Sequence, residues 1–188
     1  AGYRKGFDDP RGNLFFETAR FIEAIKPKAF LLENVKNLKS HDKGNTFRII
    51  KETITQELGY SFIPLLLNSK DYGNIPQTRE RIYIVGFRDE ASLVPNLLFS
   101  GTNSKACTEN FQELEKIPLS KGIKDILESK KQDDKYYFQA DHQYMKQGKL
   151  KMMTSEDTIY QWRRIYLREN KEGLCPTLTA NMGTGGHN

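Results

Sequence analysis

This 188-residue sequence predicts an α/β fold followed by a smaller domain of low regularity. Two observations carry that prediction. Between residues 14 and 87, stretches with helical spacing alternate with short apolar runs, the pattern of helices laid on a sheet. After about Arg88 the periodicity fades, and lysine, serine, asparagine and acidic residues take over. The order helix, strand, helix, strand, strand is half of a doubly wound sheet.

Each element has its own warrant. Leu14 to Ile25 carries apolar residues at helical spacing, and Lys26-Pro27 stops it. Ala29-Phe30-Leu31-Leu32 is a continuous apolar run, the mark of a strand buried on both faces, and it ends at Glu33-Asn34-Val35. Thr46 to Leu58 is a second amphipathic helix with Gly59 as its C-cap. Tyr60 to Leu67 reads as a strand, followed by a loop through Asp71-Tyr72-Gly73-Asn74. In the run from Ile75 to Phe87, Gln77, Arg79 and Arg81 alternate, so one extended strand would project all three to one face. The β-branched and aromatic residues after them would anchor that strand. Two arginines on a buried strand are costly unless an anion or an acceptor-rich group meets them; a phosphate backbone or a base edge would do so. Further on, Ile123 to Leu127 reads as one or two helical turns and residues 130–135 as solvated loop. Glu156 to Ile165 reads as a helix or irregular segment carrying Trp162, a core aromatic.

Composition narrows the class. A hydrophobic fraction of 37% and a mean hydropathy of −0.67 fit a soluble protein, and no apolar run reaches membrane-span length. The net charge of +5 suits a polyanionic partner, although many proteins are this basic. Cys107 and Cys175 form no C-x-x-C pair, which excludes a disulfide scaffold and a structural zinc site and points to a reducing cytoplasm. His41, His142 and His187 lack ligand spacing, so no metal is expected. The start at Ala1 and the glycine-rich stretch at residues 183–186 read as belonging to something larger.

In open α/β sheets, ligands bind beyond the carboxyl ends of the strands, where Glu33 and Asn34 stand. A partly buried carboxylate there can hold or donate a proton near neutral pH. Taken alone, Glu33 is more simply a cap or a lysine partner.

Four motifs together change that balance. Phe30-Leu31-Leu32-Glu33-Asn34-Val35 resembles the E-N-V motif of DNA cytosine-5 methyltransferases, and Gln77-Thr78-Arg79-Glu80-Arg81 resembles their Q-x-R-x-R motif. Residues 9–17 are similar to the segment after their catalytic loop. Cys175-Pro176-Thr177-Leu178-Thr179-Ala180 with Gly183-Thr184-Gly185-Gly186 is similar to the block that ends their target-recognition domain. The motifs keep the family's order, with a variable region at residues 90–159. The resemblance implies the C-terminal half of a Rossmann-like S-adenosylmethionine-dependent methyltransferase sheet (residues 1–89) plus a small irregular target-recognition domain (residues 90–188).

It also implies roles. In this family a thiolate adds to C6 of a flipped-out cytosine and C5 takes the methyl group of S-adenosylmethionine. Glu33 matches the residue at cytosine N3 and Arg81 the arginine at O2, where charge accumulates. Arg79 and Asn34 match residues that support the catalytic loop. Leu14 matches a position beside the cofactor. Arg4 and Lys5, on the distal part of that loop, are expected to meet DNA phosphates. Gln77 belongs to the same DNA-facing motif. Arg163, Arg164 and Arg168 are the base-contact candidates, since arginine grips guanine bidentately. Thr177 and Asn181 match positions near the DNA backbone. The nucleophile of the family stands in a Pro-Cys motif, and no Pro-Cys dipeptide occurs in these 188 residues. Both cysteines therefore read as non-catalytic.

The expected partners are double-stranded DNA, a missing N-terminal half of the same enzyme, and other copies of the chain. By itself the chain is expected not to turn over. The rival readings are a recognition subunit of a split methyltransferase and an unrelated α/β nucleic-acid enzyme such as a nuclease. Glu33 and Arg81 speak against pure DNA binding, which needs neither, and the lack of a clustered acidic metal site speaks against a nuclease.

Overall fold

The computed structural model describes residues 14–88, 111, 114–146, 148–163, 166–170 and 172–179. By internal contacts the chain forms two compact units. The first comprises the described residues of Ala1–Leu67 and Glu80–Glu115, the second those of Asn68–Arg79 and Lys116–Asn188. The division expected between residues 89 and 90 falls outside the described residues.

The first unit is a three-stranded sheet with helices on one face. Helix α1 spans Leu14–Ile25 as the periodicity predicts. It ends where Lys26 turns to φ 49° ahead of Pro27. Strand β1 runs Ala29–Val35. After it, Lys36–Gly44 forms 3-10 turns interrupted by non-helical dihedrals at His41, Asp42 and Lys43. Helix α2, Asn45–Glu52, continues into a π turn at Thr53–Glu57. Gly59, at φ 73°, takes the left-handed conformation of the expected C-cap. Strand β2 runs Ile63–Asn68 and strand β4 Glu80–Phe87.

The sheet order is β1-β4-β2, and β1 pairs antiparallel with β4. The last strand thus lies between the first two and runs against β1, an order that a succession of parallel crossovers does not predict. Register sets Phe30 against Gly86, Leu32 against Ile84 and Asn34 against Ile82. Phe30, Leu32 and Ile84 meet Ile22, Ile50, Ile54, Tyr60 and Phe62, the core between sheet and helices. The opposite face carries Leu31, Glu33 and Val35 beside Val85, Tyr83 and Arg81. At its far end Ile63 and Phe87 pack with Leu65, Val85 and Phe111.

Burial of β1 on both faces does not hold. Leu31 is 63% exposed and Val35 49%. The helices cover one face, and among the described residues the small Ile63–Phe87 cluster does not reach the outer positions of β1.

Within the second unit, helix α3 spans Ser69–Tyr72 where a loop was expected. Strand β3 is only Gln77–Thr78, and it pairs parallel with β7, Cys175–Pro176. Later come 3-10 turns at Ile123–Ile126, Asp134–Tyr136 and Lys149–Met152, with helix α4 at Gln143–Lys146. The segment expected as helix or irregular is instead β5, Ile159–Arg163, in an antiparallel hairpin with β6, Tyr166–Asn170. Its isoleucine, tyrosine and tryptophan favour a pleated surface once a partner strand is available. No described helix is long and apolar enough to cross a membrane.

Candidate active site

Parity builds the candidate site. Glu33 lies opposite Tyr83 and Val35 opposite Arg81, so Glu33 and Arg81 are diagonal neighbours on the sheet face away from the helices. Arg81 Nε and Glu33 Oε1 are 2.8 Å apart. The Arg81 side chain is 17% exposed and that of Glu33 47%, so the guanidinium is largely enclosed while the carboxylate reaches water. Arg81 Nη1 also donates to the carbonyl oxygen of Glu80 at 2.9 Å. A guanidinium held along two directions keeps its fork geometry without a ligand. Asn34 points to the other face, and its Oδ1 accepts from the Val35 amide at 2.8 Å. Leu14, the first residue of α1, is 70% exposed.

The expected single strand carrying Gln77, Arg79 and Arg81 is broken. Gln77 lies in β3, Arg81 in β4, and Arg79 stands between them. Its amide donates back to Gln77 O at 3.0 Å, and its carbonyl accepts from Ser69 N at 3.0 Å. Those bonds turn the backbone away from the alternating geometry of a strand. Gln77 and Arg79 belong to the second unit and Arg81 to the first.

The second unit joins two of the predicted motifs. Cys175 N donates to Pro76 O at 2.7 Å, Thr78 Oγ1 to Cys175 O at 3.3 Å, and Thr177 Oγ1 to Thr78 O at 2.8 Å. The segments that carry Gln77 and Thr177, a hundred positions apart in sequence, are thus joined by one main-chain bond and two threonine hydroxyl bonds beside the β3–β7 pairing. Spacing alone holds no sign of this link; the one cue is that both stretches are short, extended segments containing proline. Cys175 is buried, and burial pushes its thiol pKa up. Only the thiolate is nucleophilic, so this cysteine is poorly suited to attack.

Arg168 lies exposed in β6 opposite Gln161, and it lines a cavity of about 280 Å³ with Thr78, Glu169, Asn170, Glu172 and Leu174. Arg163 is described only as backbone, the last residue of β5. Arg4, Lys5, Arg164 and Asn181 lie outside the described residues. Among the described residues no group of three or more His, Cys, Asp or Glu could hold a metal.

A family model for C-5 cytosine-specific DNA methylase matches residues 1–186. The chain belongs to that family. Type II methyltransferase M.Bsp6I of Bacillus sp. (strain RFL6) is 51% identical over 190 residues, which is 100% of this chain and 55% of that one. The orphan methyltransferase M.SPRI of Bacillus phage SPR is 35% identical over 98% of this chain and 47% of its own length. Type II methyltransferase M.SsoII of Shigella sonnei reaches 60% over 90 residues, 48% of this chain and 23% of that one. The chain thus spans about half the length, or less, of the curated methyltransferases it matches. The crystal structure of S. pombe Dnmt2 methyltransferase overlays with a TM-score of 0.41 at 21% identity, covering 70% of this chain and 37% of that one. An overlay at that level places no residue here.

Proposed function

We propose that this chain serves a DNA (cytosine-5)-methyltransferase, supplying the base-holding half of its active site and its DNA-reading region. The observation that carries the reading is the Glu33–Arg81 pair, 2.8 Å apart at the carboxyl end of β1. Addition of a nucleophile to C6 of cytosine pushes electron density toward N3 and O2. A carboxyl group hydrogen-bonded at N3 and a guanidinium at O2 stabilise that charge where it develops. Arg81 Nε orients one oxygen of Glu33, and the half-exposed carboxylate leaves an edge for a base. The ring must leave the duplex to reach these groups, at a few kcal/mol repaid by the contacts made around it.

When bound, S-adenosylmethionine supplies the methyl group. Leu14 offers an exposed apolar side chain that fits van der Waals contact with that cofactor, and no polar contact. Arg4, Lys5, Gln77, Arg163, Arg164, Arg168, Thr177 and Asn181 are the proposed DNA contacts, and double-stranded DNA the proposed partner. The attacking thiolate comes from a Pro-Cys segment outside these 188 residues, in the cytoplasm where thiols stay reduced. The burial of Cys175 supports that reading.

Transfer of labelled methyl groups to DNA tests it. The chain alone should incorporate nothing above a Glu33→Ala control. Joined to a Pro-Cys-containing methylase half it should transfer methyl, and Arg81→Ala should then lower kcat by roughly 100-fold. Methyl transfer by the isolated chain, or an active assembly indifferent to Arg81→Ala, would overturn the proposal.

A further inference from the structure

Lys36 and Glu80 have no part in the chemistry above, yet they sit at its boundary. The paired register ends at Val35 opposite Arg81, and Lys36 and Glu80 are the residues just past that last rung. Lys36 Nζ and Glu80 Oε2 are 2.7 Å apart. Both strands leave the ladder here: Lys36 opens the 3-10 turns, and Glu80 follows the break at Arg79. Ladder ends fray when nothing ties them, and an ion pair between the residues that flank the last rung is one such tie.

Arg81 depends on this end of the ladder through Glu80. Its Nη1 donates to the Glu80 carbonyl oxygen at 2.9 Å, while Nε meets Glu33 Oε1 at 2.8 Å. Glu80 therefore touches Arg81 with its main chain and the residue after β1 with its carboxylate. If Glu80 drifts, the second anchor of the guanidinium drifts with it.

We infer that Lys36 and Glu80 are positioning residues that clamp the strand end and so hold Arg81 in its orientation toward Glu33. The clamp rests on the proposed function only for what Arg81 is aimed at. The two side chains are 54% and 40% exposed, a setting in which an ion pair adds little to global stability. Its effect is local, which separates it from an ordinary packing role.

Solvent exchange of the Arg81 Nε–H proton, read by nitrogen-15 NMR on this chain, tests the clamp directly. Lys36→Ala and Glu80→Gln should each speed that exchange about two- to fivefold, the scale of one exposed ion pair. Core amide protection should stay unchanged. Glu80→Gln keeps the main-chain carbonyl, so its effect reports the carboxylate. Exchanging the charges (Lys36→Glu with Glu80→Lys) should return the wild-type rate. Unchanged exchange in both single variants, an equal rise across the core amides, or no recovery in the exchanged pair overturns the clamp. In a methylase that carries this chain with a Pro-Cys segment, the single variants should lower kcat and leave KM for DNA in place. Faster exchange with an unaltered kcat supports the clamp and counts against the base-holding role of Arg81. Unaltered exchange removes the clamp whatever kcat does.

Discussion

Alternation along two strands makes neighbours of Glu33 and Arg81. A shift of one residue in register would send one of them to the helix side, where Ile82, Ile84 and Leu32 pack. The apolar residues on that side therefore specify the polar pair on the other. Arg81→Ala should cost about 1–2 kcal/mol, because it removes charge-assisted bonds from a largely enclosed side chain. Glu33→Gln should cost under about 1 kcal/mol, since its carboxylate is half exposed. Urea titration of both variants checks the order. Reversal of the two would mean that Glu33, not Arg81, is the buried partner. Cys175 makes a second residue-scale case. Its thiol should resist a disulfide reagent in the folded chain and react once denatured, because burial disfavours its thiolate.

Elements show where local pattern suffices and where it does not. Helix α1 and the Gly59 cap were legible because helical spacing, a proline stop and a glycine C-cap are local signals. The π turn after α2, the break at Arg79 and the β5–β6 hairpin were not. Spacing does not separate a π turn from an α turn or a short strand from a short helix, and the break at Arg79 is held by bonds to Gln77 and Ser69. Gly86, by contrast, depends on a partner distant in sequence. A Cβ there would stand 2.2 Å from the ring of Phe30, which crosses the strand pair to lie against it and reaches Tyr60, ring centroids 5.1 Å apart. Gly86→Ala should destabilise the chain by about 1–3 kcal/mol by displacing that ring. In a Phe30→Ala background most of that penalty should vanish, and strictly additive losses in a double-mutant cycle would contradict the contact.

At the scale of the molecule, the described residues of the first unit include exposed apolar side chains on one helix face. Leu14, Phe21 and Ile25 are 70%, 67% and 57% exposed, and their spacing puts them on one face of α1. Among the described residues, strand β1 is an edge of its sheet. Apolar patches and open edges invite association. The chain should therefore self-associate or bind a complementary methylase half, and a monodisperse monomer in sedimentation velocity would count against this. Alkaline pH tests the fold as a whole. Burial raises the pKa values of Cys175 and Tyr60 above their usual 9.0 and 10.0. The folded chain therefore keeps these protons longer than the unfolded chain, so stability present below pH 9.0 should fall as pH rises through the folded values. A midpoint of denaturation that holds steady from pH 8 to 11 would contradict it.

By itself the sequence determined the α/β class, helix α1, the glycine cap after α2 and the order of the four motifs. All of these are written in local pattern. The tertiary structure decided what those residues meet. It put β4 between β1 and β2, exposed one face of β1, split the arginine run at Arg79, and tied Gln77 to Cys175. Strand order and register follow from which apolar faces find each other and which main-chain groups remain to be paired. Those choices are made among segments far apart in sequence, so no local pattern carries them.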